Sequence, residues 1–125
     1  MILYHSTIQA RVLQIQQEGL VPGKKTAMSP AIYQMLGSGM LPNPRCFYAW
    51  KTFDKAKDCA YATSTLADDK YQGADRNPIV IEFEISGLFG LLHMRPDPAS
   101  KPLGVKIRGK VPQIKKIYAL EPASH

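Results

Sequence analysis

Ile79-Val80-Ile81-Glu82-Phe83-Glu84-Ile85 is the segment whose conformation is least open to choice. Its residues are β-branched, aromatic or acidic, and from Ile81 onward apolar and charged positions alternate. That pattern predicts a strand with Ile81, Phe83 and Ile85 on one side and Glu82 and Glu84 toward solvent. Asn77-Pro78 before it and Gly87 after it supply the breaks.

Two helices are predicted ahead of this strand. Residues 2–5 read as a short strand, and Thr7 then caps a helix over about 8–18, with Ile8, Val12 and Ile15 on one face. Gly19 and Leu20 fit a Schellman stop. Cys46 to Trp50 reads as a second, buried strand, and Thr52 caps a second helix over about 53–63. Ala56, Cys59, Ala60 and Thr63 give that helix a small-residue face. Between them, residues 24–44 form an irregular stretch, with helical turns possible after Pro30. A loop of this length is either a functional lid or a surface excursion. Downstream, 88–92 reads as a short strand, Arg95 to Pro98 as a loop, and 105–108 as a half-exposed strand. Ile114, Ile117 and Leu120 have helical spacing but β-branched composition, which leaves helix or strand open. Early helices followed by a run of strands indicate an α+β domain, not a regular βαβ alternation.

A length of 125 residues suits one domain, taken as 1–125, with a core that needs no staples. No apolar run is long enough to span a membrane, and the opening residues lack the pattern of a secretion signal. The two cysteines, Cys46 and Cys59, have no CxxC spacing and are expected to be reduced thiols of a cytoplasmic protein. His5, His93 and His125 show no metal-ligand spacing. The formal net charge is +6. Much of the surplus comes late, at Lys101, Lys106, Arg108, Lys110, Lys115 and Lys116, opposed after residue 100 only by Glu121. Such a surplus attracts nucleic acid or the phosphates of a dinucleotide, or it is a solvated basic face.

The chain carries no G-x-S-x-G, no H-E-x-x-H and no Gly-rich dinucleotide fingerprint after a strand. Gly37-Ser38-Gly39 is too short for a P-loop. What it does carry is an ordered set of segments. Leu3-Tyr4-His5-Ser6-Thr7, then Glu18-Gly19-Leu20-Val21-Pro22, resembles the L-Y-H-G-T … G-L-x-P opening of ADP-ribosyltransferase-fold proteins. That superfamily includes poly(ADP-ribose) polymerases, bacterial toxins and RNA 2′-phosphotransferases. Phe47 to Ala56 is similar to its I-Y-F-A-D-S-F-E-K-A segment, with Tyr48 at the aromatic position, and Pro78 to Ile85 to its P-V-V-L-E-V strand. Gly104-Val105-Lys106-Ile107 and Val111-Pro112 resemble the close of the phosphotransferase branch.

The resemblance implies an α+β fold in which two small mixed or antiparallel sheets and two or three helices form a cleft for NAD as co-substrate. It implies that His5 hydrogen-bonds a ribose hydroxyl, that the backbone at Ser6 pairs with the nicotinamide amide, and that Thr7 fixes this corner. Ser6 stands where relatives usually have glycine, which narrows the space. Tyr48 would stack on the nicotinamide ring, and Tyr61 is either a second wall or a core aromatic. Arg45 or Lys24 would meet the diphosphate. Relatives place a glutamate on a late strand to steady a cationic ribose. Here Leu103-Gly104-Val105 offers no carboxylate, Asp97 lies in the preceding loop, and Gln113 is left as a residue able to orient a hydroxyl.

The function so implied is an NAD-dependent ADP-ribosyltransferase, a glycosyltransferase acting on a nucleic acid or protein acceptor, possible as a toxin-like modifier. The missing glutamate supports an alternative: a catalytically degenerate module of the same fold that binds NAD, ADP-ribose or RNA.

Overall fold

A computed structural model describes residues 1–22, 46–96 and 103–122. The expectations for Lys24, the turns after Pro30, Gly37 to Gly39, Arg45, Asp97 and Lys101 lie outside the described residues. In chain order the elements are β1 (Ile2–Ile8), α1 (Val12–Glu18), β2 (Phe47–Trp50), α2 (Phe53–Thr65), β3 (Pro78–Glu84), α3 (Gly87–His93), β4 (Met94–Pro96), β5 (Gly104–Ile107) and β6 (Lys116–Ala119). The strands form one six-stranded sheet in the order β4-β5-β2-β1-β3-β6, and every pairing is antiparallel. The α+β class holds, and the strands belong to one sheet, not the two small sheets expected.

Alternation along the strands sorts side chains into two layers. On one face Leu3, Phe47, Ala49, Ile81, Phe83, Val105 and Ile107 pack with Val12, Ile15, Leu20 and Val111, and with Phe89 of α3. On the other, α2 lays Ala56 and Ala60 against Val80, flanked by Tyr4, Trp50, Phe53 and Tyr118. The small residues on α2 let its backbone approach the sheet closely. Thr52 caps α2 as expected, its hydroxyl accepting the Lys55 N–H at 3.3 Å.

Several local expectations are corrected. Thr7 caps no helix: β1 continues through it to Ile8, and a 3₁₀ turn over Gln9–Arg11 leads into α1 without a side-chain cap. Pairing with β3 at Thr7↔Ile79 outweighs the local capping signal. Gly19 does end α1, but not in a Schellman motif. Its φ is +79° with ψ −166°, and Leu20 exchanges backbone hydrogen bonds with Val111 at 2.8 and 2.9 Å. A Cβ on Gly19 would lie 2.2 Å from the Val111 carbonyl oxygen, so glycine is required both by φ and by contact.

Residues 88–92 belong to α3, not a strand. Leucine is a strong helix former, and the Ser86 hydroxyl accepts the Phe89 N–H at 3.1 Å. Arg95 and Pro96, expected as the start of a loop, belong to β4 and pair with β5. The open question over residues 111–120 resolves to strand, with β6 completing the β3 edge. Glu84 is exposed as expected, whereas Glu82 is half-buried and accepts the Tyr118 O–H at 2.9 Å. Cys46 and Cys59 are both free thiols.

Candidate functional site: a fork between two central strands

β1 is registered against β3 at seven positions, from Ile2↔Glu84 to Ile8↔Pro78. Against β2 it is registered at one, Tyr4↔Trp50. The direction of its backbone groups follows from the ladder. Met1 and Ile85 exchange hydrogen bonds at 2.9 and 3.0 Å, and the Gln9 N–H donates to the Asn77 carbonyl at 2.9 Å. Antiparallel pairing alternates, so odd-numbered residues of β1 turn their N–H and C=O toward β3 and Tyr4, Ser6 and Ile8 turn theirs toward β2. Past the Tyr4–Trp50 rung no residue of β2 is registered opposite Ser6 or Ile8. The two strands fork there.

His5 sits in the fork. On β2 the Lys51 N–H donates to Leu103 on the β5 side, so by the same alternation the Tyr48 carbonyl faces β1. It accepts a hydrogen bond from His5 Nδ1 at 2.7 Å. A carbonyl cannot donate, so Nδ1 carries the proton and Nε2 of the neutral ring is a hydrogen-bond acceptor. The ring meets Phe47 edge-on, with centroids 5.7 Å apart and planes at 88°. Burial pushes the His5 pKa below its ordinary 6.5, the Tyr48 hydrogen bond works in the other direction, and the nearby Arg11 guanidinium lowers it further. The imidazole is therefore predominantly neutral at pH 7.

The residues singled out from sequence are only partly brought together. Ser6 adjoins the fork through its backbone, but its hydroxyl points to the opposite face and donates to the Ala56 carbonyl of α2 at 2.6 Å. The serine thus does not narrow the fork; it ties β1 to α2. Thr7 is buried on the same face as His5.

Tyr48 reaches His5 through its carbonyl alone. Its neighbours Phe47 and Ala49 are buried in the first layer, so the phenol lies on the other face of the sheet. The expectation that imidazole and phenol border one cleft is corrected: the aromatic sharing the face of His5 is Phe47, and that ring is buried. Tyr61 lies on α2, where its hydroxyl donates to the Glu121 carbonyl at 2.6 Å, so it forms no wall beside His5. Gln113 is exposed on the connection entering β6, which lies beyond β3 from β1. Arg45 lies outside the described residues.

Sequence reasoning overlooked Arg11. It stands on the turn that leaves β1 and acts electrostatically on the imidazole. The late lysines and arginines, close in sequence, separate in space: Lys106 is on β5 and Lys116 on the edge strand β6, with β2, β1 and β3 between them. Among the described residues no cluster of His, Cys, Asp and Glu could hold a metal ion, and no helix is long and apolar enough to cross a membrane. The sequence matches no protein-family model and no curated protein.

Proposed function

We propose that the chain is an NAD-dependent ADP-ribosyltransferase whose dinucleotide occupies the fork between β1 and β2. The observation that carries this reading is the use of His5 in place of a backbone rung. The Tyr48 carbonyl takes the imidazole Nδ1–H, and the Ser6 N–H and C=O are left directed toward the opening. A donor and an acceptor on one residue match the two hydrogen-bonding groups of a planar carboxamide. His5 Nε2 is an acceptor for a sugar hydroxyl, and Arg11 supplies positive charge for a phosphate. A co-substrate with carboxamide, ribose and diphosphate satisfies all three. The chemistry NAD brings is a glycosidic bond to nicotinamide that breaks on transfer to an acceptor. The chain's own part is to hold the ribose by a hydroxyl and to fix the carboxamide.

A second reading, NAD or ADP-ribose binding without turnover, is favoured by one observation. β1, β2 and β5 contain no carboxylate, and Glu82 of β3 is engaged by Tyr118.

Incubation with NAD and measurement of free nicotinamide, with DNA, RNA or lysate as acceptor source, tests both. Release that disappears in His5→Ala supports the transferase. Saturable NAD or ADP-ribose binding with no release supports the binding module. Neither release nor binding removes both.

A further inference from the structure

The displacement of Tyr48 from the imidazole's face gives it different company. Tyr48 is registered against Lys106 of β5, and Trp50 against Gly104. Phe47, Ala49, Val105 and Ile107 are buried in the first layer, so alternation places Tyr48, Trp50 and Lys106 together on the other face. All three keep partial exposure. Trp50 packs at the margin of the α2 layer, near the start of that helix. Side chains two apart on a strand are separated by about 7 Å, so the phenol and indole form successive steps along β2. Gly104 places no side chain beside the indole.

The charge on this part of the sheet has one sign. β2, β5 and β4 carry Lys106 and Arg95 and no carboxylate. Arg95 stands opposite Lys106, but its guanidinium donates to the Leu91 and Met94 carbonyls at 3.1 and 2.7 Å. Among the described residues of β2, β4 and β5, Lys106 is therefore the cation left to meet an anion beside Tyr48.

From this placement we infer that the β2–β5 face binds single-stranded nucleic acid, with bases on Tyr48 and Trp50 and a backbone phosphate on Lys106. Aromatic faces in series beside a cation suit bases that are unstacked and linked by phosphates. A duplex keeps its base faces covered and offers no such match. The inference goes beyond the proposed function: β2 holds the imidazole by its carbonyl on one side, and its side chains receive the strand on the opposite face of the sheet.

The test uses the full chain and fluorescein-labelled single-stranded oligothymidylate and oligouridylate, with a duplex of equal length as control. Anisotropy gives binding, and quenching of Trp50, the chain's one tryptophan, reports contact at the site. The expected result is binding of at least one single strand that quenches Trp50 and weakens several-fold between about 50 and 200 mM salt. Tyr48→Ala and Lys106→Gln each weaken it by about tenfold, and Tyr48→Phe retains it. Circular dichroism checks folding; if Tyr48→Ala fails to fold, Lys106→Gln and the quenching decide.

Absence of single-strand binding overturns the inference. So does a preference for duplex, or affinity unchanged in Lys106→Gln with Trp50 unquenched. Nicotinamide release measured on the same preparation separates the two proposals. Strand binding without release keeps the platform and removes the transferase, and release without strand binding does the reverse.

Discussion

His5 Nδ1 donates to the Tyr48 carbonyl at the point where a continuing ladder would bring the Ser6 amide. One side chain thus fixes its own tautomer, closes the sheet across the fork and turns a backbone pair outward. The bond also makes the fork sensitive to acid. Burial lowers the pKa of His5 in the folded chain, while the unfolded chain keeps the ordinary value of 6.5. Below 6.5 the unfolded state binds more protons, so stability rises with pH through that window and is fully present above it. Urea unfolding between pH 5 and 7.5 should show the loss on acidification. His5→Asn, which has no titrating ring, should flatten the slope. An equal slope in both proteins would contradict the assignment.

Replacing Gly19 tests the junction between α1 and the segment before β6. Alanine there meets a positive φ and a Cβ 2.2 Å from the Val111 carbonyl oxygen. A loss of about 3–5 kcal/mol is expected in denaturant unfolding, because relieving the contact breaks the Leu20–Val111 pair. A loss under about 1 kcal/mol would show that the two segments separate freely.

Arg76 anchors the connection between α2 and β3. Its guanidinium donates to the carbonyls of Ser64, Thr65, Asp68 and Tyr71, two of them in the last turn of α2. Arg76→Ala strands those carbonyls and should cost about 2–4 kcal/mol. Lysine, with a single ammonium and no planar fork, should recover less than half of the loss.

The face of α3 turned to solvent is apolar. Leu88, Leu91 and Leu92 are 68, 73 and 59% exposed, beside a groove of about 380 Å³ lined in part by Met1, Ile85 and Met94. Patches of this kind promote association. Leu88→Gln combined with Leu91→Gln should raise solubility and leave unfolding stability within about 0.5 kcal/mol. Sedimentation at increasing concentration, paired with urea titration, checks both halves.

The legible parts of this chain were those with strong local signals. The Ile79–Ile85 pattern, the Thr52 cap and the small-residue face of α2 each rest on neighbours in sequence, and each stands in the fold. The errors came where distant pairing overrode local preference. Thr7 is a good cap, yet β3 recruits it as strand. Tyr48 stands at the aromatic position of the segment that resembles ADP-ribosyltransferase-fold proteins, which is why it is expected to stack on a ligand. The alternation Phe-Tyr-Ala-Trp already held the other answer, since burying Ala49 commits Phe47 to the same face and sends Tyr48 to the opposite one. The fork itself has no local signature, because it depends on β1 meeting a strand more than 40 residues away.

The central position of β1 has a consequence during synthesis. Its principal partner, β3, spans Pro78–Glu84, so β1 leaves the ribosome well before the strand it pairs with along its whole length. Until then Leu3 and Ile8, fully sheltered in the finished protein, are open to nascent neighbours and chaperones. Expression yield should therefore depend more on how quickly translation reaches β3 than on the equilibrium stability of the product.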